Sequence, residues 1–149
     1  EGTTFNIYLA TPLDVSTGDK EGIDLELIPA NFISGTISLP NGETAPEDGF
    51  YGFITAKYEN ETPDCEDDYN FSYYFYIPEG ENSVDYILPV VANPVGTGYI
   101  VSYIVPFAGY RTVGYYSEDG TVPYQESTDP VDVSSRNAEG IDLEIIPFQ

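Results

Sequence analysis

Apolar and polar residues alternate with a period of two in short runs along this chain, and Gly and Pro separate the runs. The last run shows the pattern most clearly, because Ile141, Leu143 and Ile145 alternate with Asp142 and Glu144. Such alternation predicts a strand with one face in a core and one in solvent. Seven such strands are predicted, at residues 33–39, 50–58, 70–77, 83–90, 98–105, 110–116 and 140–146. Because no stretch shows helical periodicity beyond one turn, the predicted fold class is all-β, with two packed antiparallel sheets.

The chain contains a long internal repeat. Residues 12–29 and residues 130–147 are identical at 12 of 18 positions, at a constant offset of 118 residues without a gap. We therefore predict that residues 1–31 are the C-terminal end of a preceding repeat, with its closing strand near residues 22–29. Residues 32–149 are then one complete β-sandwich repeat. A unit of this length is a domain, whereas a solenoid repeats every roughly 20–50 residues. Neighbouring repeats of the same parent protein are the first expected partners.

The charge of the chain excludes several classes of partner. It has 26 acidic and 4 basic residues, a formal net charge of −22. Such a surface repels the phosphates of nucleic acids and of anionic lipids. No apolar run reaches the ~18 residues that a membrane-spanning helix needs. We expect neither nucleic-acid binding nor membrane insertion.

The inventory of reactive side chains is poor. The chain has no His and a single Cys, so it lacks the usual ligands for zinc, haem and iron–sulfur clusters and cannot form a Ser–His–Asp triad. There is no Gly-rich phosphate loop. Paired carboxylates for glycoside hydrolysis are available by number, but no motif selects two of them. We expect that the protein is not an enzyme, with a hydrolase as the remaining catalytic alternative.

Both ends of the 118-residue unit resemble a known family. The residues concerned read ISGTISLP at 33–40, followed by Asn41-Gly42 and Ala45-Pro46, then YYSEDGT at 115–121, DPVDVS at 129–134 and GIDL at 140–143. They resemble the carboxypeptidase-regulatory-like, or prealbumin-like, repeats of bacterial cell-surface proteins. The resemblance implies a seven-stranded antiparallel Greek-key β-sandwich, prealbumin-like or Ig-like. It also implies an extracellular location, and the family shares no catalytic residues.

An acidic loop within residues 59–68 is the candidate metal site. Its Asp64, Glu66, Asp67 and Asp68 could supply some of the oxygen ligands that Ca²⁺ requires. The loop lacks the ordered spacing of known calcium loops, and the alternative is a solvated loop without metal. A second acidic cluster with the same deficiency comprises Glu118, Asp119, Asp129 and Asp132.

Outward-facing tyrosines are the candidate ligand site. In the third predicted strand, alternate positions from Phe71 to Ile77, including Tyr73, form the inner face, so Tyr74 and Tyr76 should point outward. Exposed aromatic rings can stack on the C–H faces of sugars. The alternative is that tyrosine is simply a favourable strand residue. The absence of Trp weakens the case for a sugar platform.

Lys57 is the candidate for an internal isopeptide bond, a covalent brace of some surface sandwiches. Such a bond needs a buried lysine, an Asn or Asp partner and a nearby acid. Lys57 shares its parity with Tyr51 and Phe53. The alternative is an ordinary lysine at a strand end in solvent.

Two functions follow from these observations. The first is a non-catalytic structural spacer repeat in a large secreted or cell-surface, adhesin-like bacterial protein. The alternative is a module that binds carbohydrate, or a host or cell-wall protein, through exposed tyrosines and with Ca²⁺ as a possible cofactor. In either case Ile23, Leu25 and Leu27 would be an orphan apolar strand, which we expect to pack along the module or to pair with a neighbouring molecule.

Overall fold

The computed structural model describes residues 14–24, 30–58, 69–93 and 97–148. Within these ranges the regular structure consists of seven strands and two short 3₁₀ turns, at Pro40–Gly42 and Gln125–Ser127. The strands are β1 (Asn31–Ser38), β2 (Phe50–Tyr58), β3 (Tyr69–Ile77), β4 (Ser83–Val90), β5 (Ile100–Ile104), β6 (Val113–Tyr115) and β7 (Leu143–Glu144). For the described part of residues 32–149, the prediction of an all-β fold with seven strands is confirmed.

The strands form two sheets, one of three strands in the order β4-β1-β7 and one of four in the order β3-β2-β5-β6. All pairs in the second sheet are antiparallel. In the first sheet β1 is antiparallel to β4 but parallel to β7. The prediction of antiparallel pairing throughout is therefore wrong at this pair. Side-chain alternation reports which face of a strand is buried, and it carries no information about the direction of the neighbour.

The core lies between the two sheets and is built from alternate residues of both. The three-stranded sheet contributes Ile33, Ile37, Tyr86 and Leu88, all exposed by 2% or less. The four-stranded sheet contributes Ile54, Phe75, Val101 and Tyr103, which are buried to the same extent. Each such side chain stabilises the fold by about 1.5–3 kcal/mol through the removal of apolar surface from water. The result is a two-layered, sandwich-like body.

Residues 130–147, which we call the closing segment, complete the core although little of their length is regular strand. Val131, Val133, Ile141, Leu143 and Ile145 are all buried. The predicted strand at 140–146 is reduced to two residues, because part of its pairing with β1 is made by a side chain.

The pairing beside β1 alternates between backbone and side-chain partners. The Ile141 N–H donates to the Ser34 carbonyl at 3.0 Å. Two residues further along β1, the Thr36 N–H donates to Asp142 Oδ1 at 2.8 Å. At this position a side-chain carboxylate accepts the hydrogen bond that a backbone carbonyl would accept in a regular strand pair. A side chain at Gly35 would overlap the backbone of Ile141, which explains the glycine at this close approach.

One predicted core residue is exposed. Tyr73 has the parity of the buried Phe75 and Ile77, yet 39% of its surface is accessible. It lies on β3, an edge strand of the wider sheet, and the opposing sheet has one strand fewer. Part of the inner face of β3 therefore remains uncovered.

The described part of the N-terminal segment, residues 14–24, is exposed at every position and contains turns and bends but no strand. Its apolar residues Val15 and Ile23 are 66% and 49% accessible. Residues 25–29, which make up most of the predicted strand near 22–29, lie outside the described residues. The packing of that strand against the module or a neighbour stays a prediction.

Candidate functional site: an aromatic face on the four-stranded sheet

The outer surface of the four-stranded sheet carries a group of exposed apolar side chains, which we call the aromatic face. It consists of Tyr51 and Phe53 on β2, Tyr74 and Tyr76 on β3, and Ile104 on β5. These residues alternate with buried ones, so the strand period of two turns them outward together. The strand register then sets Tyr51 opposite Tyr76, and Phe53 between Tyr74 and Ile104.

The members of this face are substantially accessible, and three of the rings contact one another. Their exposed fractions are 41% for Tyr51, 47% for Phe53, 53% for Tyr74, 44% for Tyr76 and 41% for Ile104. The rings of Phe53 and Tyr74 meet edge to face at 5.7 Å, and those of Tyr51 and Tyr74 lie 6.3 Å apart. The prediction that Tyr74 and Tyr76 point outward is confirmed.

The aromatic face stands on a sheet without acidic residues. The four strands β2, β3, β5 and β6 contain no Asp or Glu, although the chain has 26 acidic residues. Next to the face, Thr55 Oγ1 and Ser102 Oγ share a hydrogen bond of 2.7 Å. The only charged residue in these strands is Lys57, the next outward-facing position on β2 after Thr55. Chemically, the surface is suited to an uncharged ligand that offers C–H surface and hydroxyl groups.

Sequence reasoning did not single out Phe53 or Ile104 for this surface. Phe53 could have been found, because it lies between the small Gly52 and the apolar Ile54 at outward parity on a predicted strand. Ile104 could not, since its place beside Phe53 depends on the pairing of β2 with β5, which no local pattern specifies.

Other tyrosines belong to the core and use their hydroxyls internally. Tyr86 donates to the Ile141 carbonyl, and Tyr99 donates to the Val91 carbonyl at 2.9 Å. The Tyr103 hydroxyl accepts from the Ile146 N–H at 2.9 Å. Burial raises the pKa of all three phenols above its ordinary value. The interpretation of tyrosine as a favourable strand residue therefore holds for these three, and a ligand role for the outward-facing tyrosines stays a prediction.

The predicted metal loop, with Asp64, Glu66, Asp67 and Asp68, lies outside the described residues, so the Ca²⁺ site stays a prediction. Within the described ranges no group of three or more potential metal-binding side chains lies together.

The second acidic cluster is occupied by structural hydrogen bonds. Asp129 Oδ2 accepts from the Glu118 N–H at 2.9 Å and from Ser117 Oγ at 2.8 Å, and these bonds lower the pKa of Asp129. Asp132 Oδ1 accepts from the Ser134 N–H at 2.8 Å, and this contact lowers the pKa of Asp132. Both carboxylates thus hold turns of the closing segment and of the loop before it.

Lys57 is exposed on the outer surface of β2, opposite Asn70 on β3 and Ile100 on β5. An isopeptide brace requires a lysine in the core, where water is excluded. The position of Lys57 therefore favours the ordinary solvent-facing lysine over the covalent brace.

Comparison of the chain with protein families, with curated proteins and with solved structures finds no match. None of the described residues lies in a helix long and apolar enough to cross a membrane. The resemblance to prealbumin-like repeats accordingly stays a prediction from the sequence.

Proposed function

We propose that the chain is a non-catalytic spacer repeat of a large secreted or cell-surface, adhesin-like bacterial protein. The observation that carries this proposal is the parallel pairing of the first and last strands. Because β7 runs in the same direction as β1, the chain enters the body at Asn31 and leaves it beyond Glu144 at the opposite end. Modules with opposed entry and exit points extend an array when they are joined in series, whereas adjacent ends would fold the array back on itself.

Contacts at the two ends support this arrangement. At the entry, Asn31 pairs with Val90, and its Nδ2 donates to the Val133 carbonyl at 2.6 Å. At the exit, the Phe148 N–H donates to the Gly109 carbonyl at 2.7 Å. Both ends of the module are thereby fixed to its body, which limits bending at a junction.

The internal repeat supplies the second line of support. If residues 12–29 close a preceding module as residues 130–147 close this one, Glu26 corresponds to Glu144. Only four residues then separate that closing strand from β1. A connection this short keeps adjacent modules close together and restricts their relative motion.

The strand order also bears on the finer fold, for which we propose a Greek-key, prealbumin-like sandwich. β4 returns to lie beside β1, as in a Greek key. In an Ig-like sandwich the last strand shares a sheet with the third and sixth strands. Here it shares a sheet with the first and fourth, which favours the prealbumin-like alternative.

The spacer proposal is tested by joining residues 32–149 directly after the chain and measuring small-angle scattering. We expect the maximum dimension to increase by about the length of one module. The control carries a flexible Gly/Ser insertion of about ten residues at the junction, which should broaden the distance distribution. Two modules packed side by side in the direct fusion would refute the proposal.

A second candidate function is favoured by the aromatic face, namely binding of carbohydrate or of an uncharged protein surface. Stacking on Tyr74 and Tyr76 would supply the affinity, and the Thr55–Ser102 hydroxyl pair next to the aromatic face would orient a sugar. A glycan array with and without EDTA tests it and also reveals any Ca²⁺ requirement. We expect Tyr74→Ala and Tyr76→Ala to abolish binding and Phe32→Ala, an exposed aromatic on the other sheet, to leave it intact. An array without signal would remove the carbohydrate ligand from this candidate function.

A further inference from the structure

Two nearly identical segments of this chain occupy opposite environments. Residues 14–24, which we call the donor segment, repeat residues 132–142 of the closing segment. Val15 is 66% accessible, whereas its equivalent Val133 is fully buried. Ile23 is 49% accessible, whereas its equivalent Ile141 is 7% accessible. The donor segment therefore exposes the apolar side chains that complete a core elsewhere.

The polar contacts of the closing segment use features that the donor segment shares, whereas the partly buried Ala138 has Lys20 as its equivalent. Asn93 Oδ1 accepts from the Val133 backbone N–H at 2.6 Å, and the Ser34 carbonyl accepts from that of Ile141 at 3.0 Å. Two side chains of the closing segment accept from β1, and both have an acceptor as their equivalent: Asp142 corresponds to Asp24, and Asn137 to Asp19. Every one of these interactions would be retained if the donor segment took the same place.

The two segments also share one local hydrogen bond. Asp132 Oδ1 accepts from the Ser134 N–H at 2.8 Å in the closing segment. Asp14 Oδ1 accepts from the Ser16 N–H at the same distance in the donor segment. This hydrogen bond thus forms without the core contacts, and at these residues the donor segment already has the local geometry of the closing segment.

The donor segment cannot take that place in its own molecule. The closing segment lies parallel to β1, and a parallel neighbour needs a connection of roughly a dozen residues or more. Only six residues separate Asp24 from the start of β1 at Asn31. The partner must be another chain. The donor segment would then complete the core of one module and lead directly into β1 of the next, as expected for two consecutive repeats.

We propose that the donor segment of one molecule replaces the closing segment in a second copy of this chain, so that copies join head to tail beside β1. The inference rests on the internal repeat and not on the spacer role. In the unaltered chain the tethered closing segment competes at high effective concentration and keeps the site. Exchange becomes visible when that segment is disabled. Each molecule has one donor and one acceptor site, so the contact is heterologous and open-ended.

The test uses three full-length chains. The acceptor carries Val133→Asp and Ile141→Asp, which disable its closing segment, together with Val15→Asp and Ile23→Asp, which disable its donor segment. The unaltered chain serves as donor. The control chain carries only Val15→Asp and Ile23→Asp, so its module is intact but its donor segment is not. Mixtures are examined by native mass spectrometry and by near-ultraviolet circular dichroism of the tyrosines.

We expect the acceptor to form a one-to-one complex with the unaltered chain and to gain tyrosine dichroism. Binding to the control chain should be weaker by about a hundredfold or more, because two buried apolar contacts are replaced by charges. No complex with the unaltered chain would overturn the proposal. Equal complexes with both chains would overturn it too, since they would indicate non-specific association.

A milder variant guards against an acceptor that is too damaged to bind. Val133→Ala and Ile141→Ala, with the donor segment intact, weaken the closing segment without introducing charge. This chain should form head-to-tail oligomers as its concentration rises, detected by light scattering. Adding Val15→Asp and Ile23→Asp to it should return it to a monomer. A monomer at all concentrations before that addition would contradict strand exchange.

Discussion

The direction in which a tyrosine points decides what it does in this protein. Tyr86 and Tyr99 point inward, where each hydroxyl must find a partner because water is excluded, and each donates to a backbone carbonyl. Tyr74 and Tyr76 point outward and present ring faces to solvent. The same side chain thus closes the core in one place and forms a candidate ligand surface in another.

The first prediction concerns the Tyr86 hydroxyl. Tyr86→Phe leaves the Ile141 carbonyl without this donor at a site where Tyr86 is 2% exposed. We expect the free energy of unfolding to fall by about 1–3 kcal/mol, measured by urea denaturation. Tyr74→Phe is the matched control on the surface and should change stability by less than about 0.5 kcal/mol. Equal effects of the two substitutions would show that the buried hydroxyl contributes nothing.

At the scale of elements, the closing segment is held more by single contacts than by a continuous ladder. Only Leu143–Glu144 is regular strand. Isolated bridges join Ala138 to Ile33, Val131 to Tyr99 and Pro147 to Tyr110. The segment therefore contacts both sheets and closes one side of the core. Its stability depends on a few buried polar groups, of which the Asn93 amide is the most connected.

The second prediction concerns Asn93, which is 4% exposed. Its Oδ1 accepts from the buried Val133 N–H, and its Nδ2 donates to the Thr97 carbonyl at 2.8 Å. Asn93→Ala leaves the buried Val133 N–H without an acceptor and should lower the free energy of unfolding by about 1–3 kcal/mol. Asn137→Ala removes a similar amide contact, to the Phe32 N–H, at an exposed site, where water can substitute. Thermal unfolding should show a much smaller loss for Asn137→Ala, and a comparable loss would contradict this explanation.

At the scale of the whole molecule, the net charge of −22 and the buried phenols act in the same direction at alkaline pH. Folding raises the pKa of Tyr86, Tyr99 and Tyr103 through burial. Ionisation of exposed tyrosines adds further negative charge to a surface that already repels itself. Both effects favour the unfolded chain.

The third prediction is a loss of stability above pH about 10, the ordinary pKa of tyrosine. Below this pH both states hold their phenolic protons, so the contribution of burial is fully present. Above it the unfolded chain releases protons that the folded chain retains, and the free energy of unfolding falls as pH rises. Urea denaturation at intervals between pH about 8 and 11 measures this slope. Tyr86→Phe should reduce the slope, and a pH-independent stability would refute the explanation.

The parallel pairing of β1 and β7 also determines how the module bears force. Pulling on Asn31 and Phe148 draws these strands past each other, so that bonds such as Ile145 N–H to the Ser38 carbonyl (2.8 Å) are loaded together. Pulling on Asn31 and Val90 acts at one end of an antiparallel pair, where bonds open one at a time.

The fourth prediction is a higher unfolding force in the first geometry than in the second. Single-molecule force spectroscopy measures it, with attachment cysteines at the named positions and Cys65→Ser to remove the native thiol. The Asn93→Ala variant, which loosens the closing segment, should lower the force only in the first geometry. Equal forces in both geometries would contradict the shear interpretation.

Much of this structure could be predicted from local pattern. The alternation of Tyr99, Val101, Tyr103 and Val105 correctly placed one face of β5 and its flanking residues in the core. The outward direction of Tyr74 and Tyr76 followed from the same period. Such inferences succeed because side chains on a strand alternate strictly between two faces. They fail at edges such as Tyr73, where burial depends on what the opposite sheet covers.

The sequence by itself determined the number of strands in the described part of residues 32–149, most of the faces that are buried and the equivalence of residues 12–29 with 130–147. All three are properties of residue order, which pattern and identity report directly. Only the tertiary structure decided that β7 lies parallel to β1, that Asp142 replaces a backbone acceptor and that Ile104 joins the aromatic face. These features depend on which distant segments meet, and the free energy of such contacts is shared between partners that no local run of residues contains.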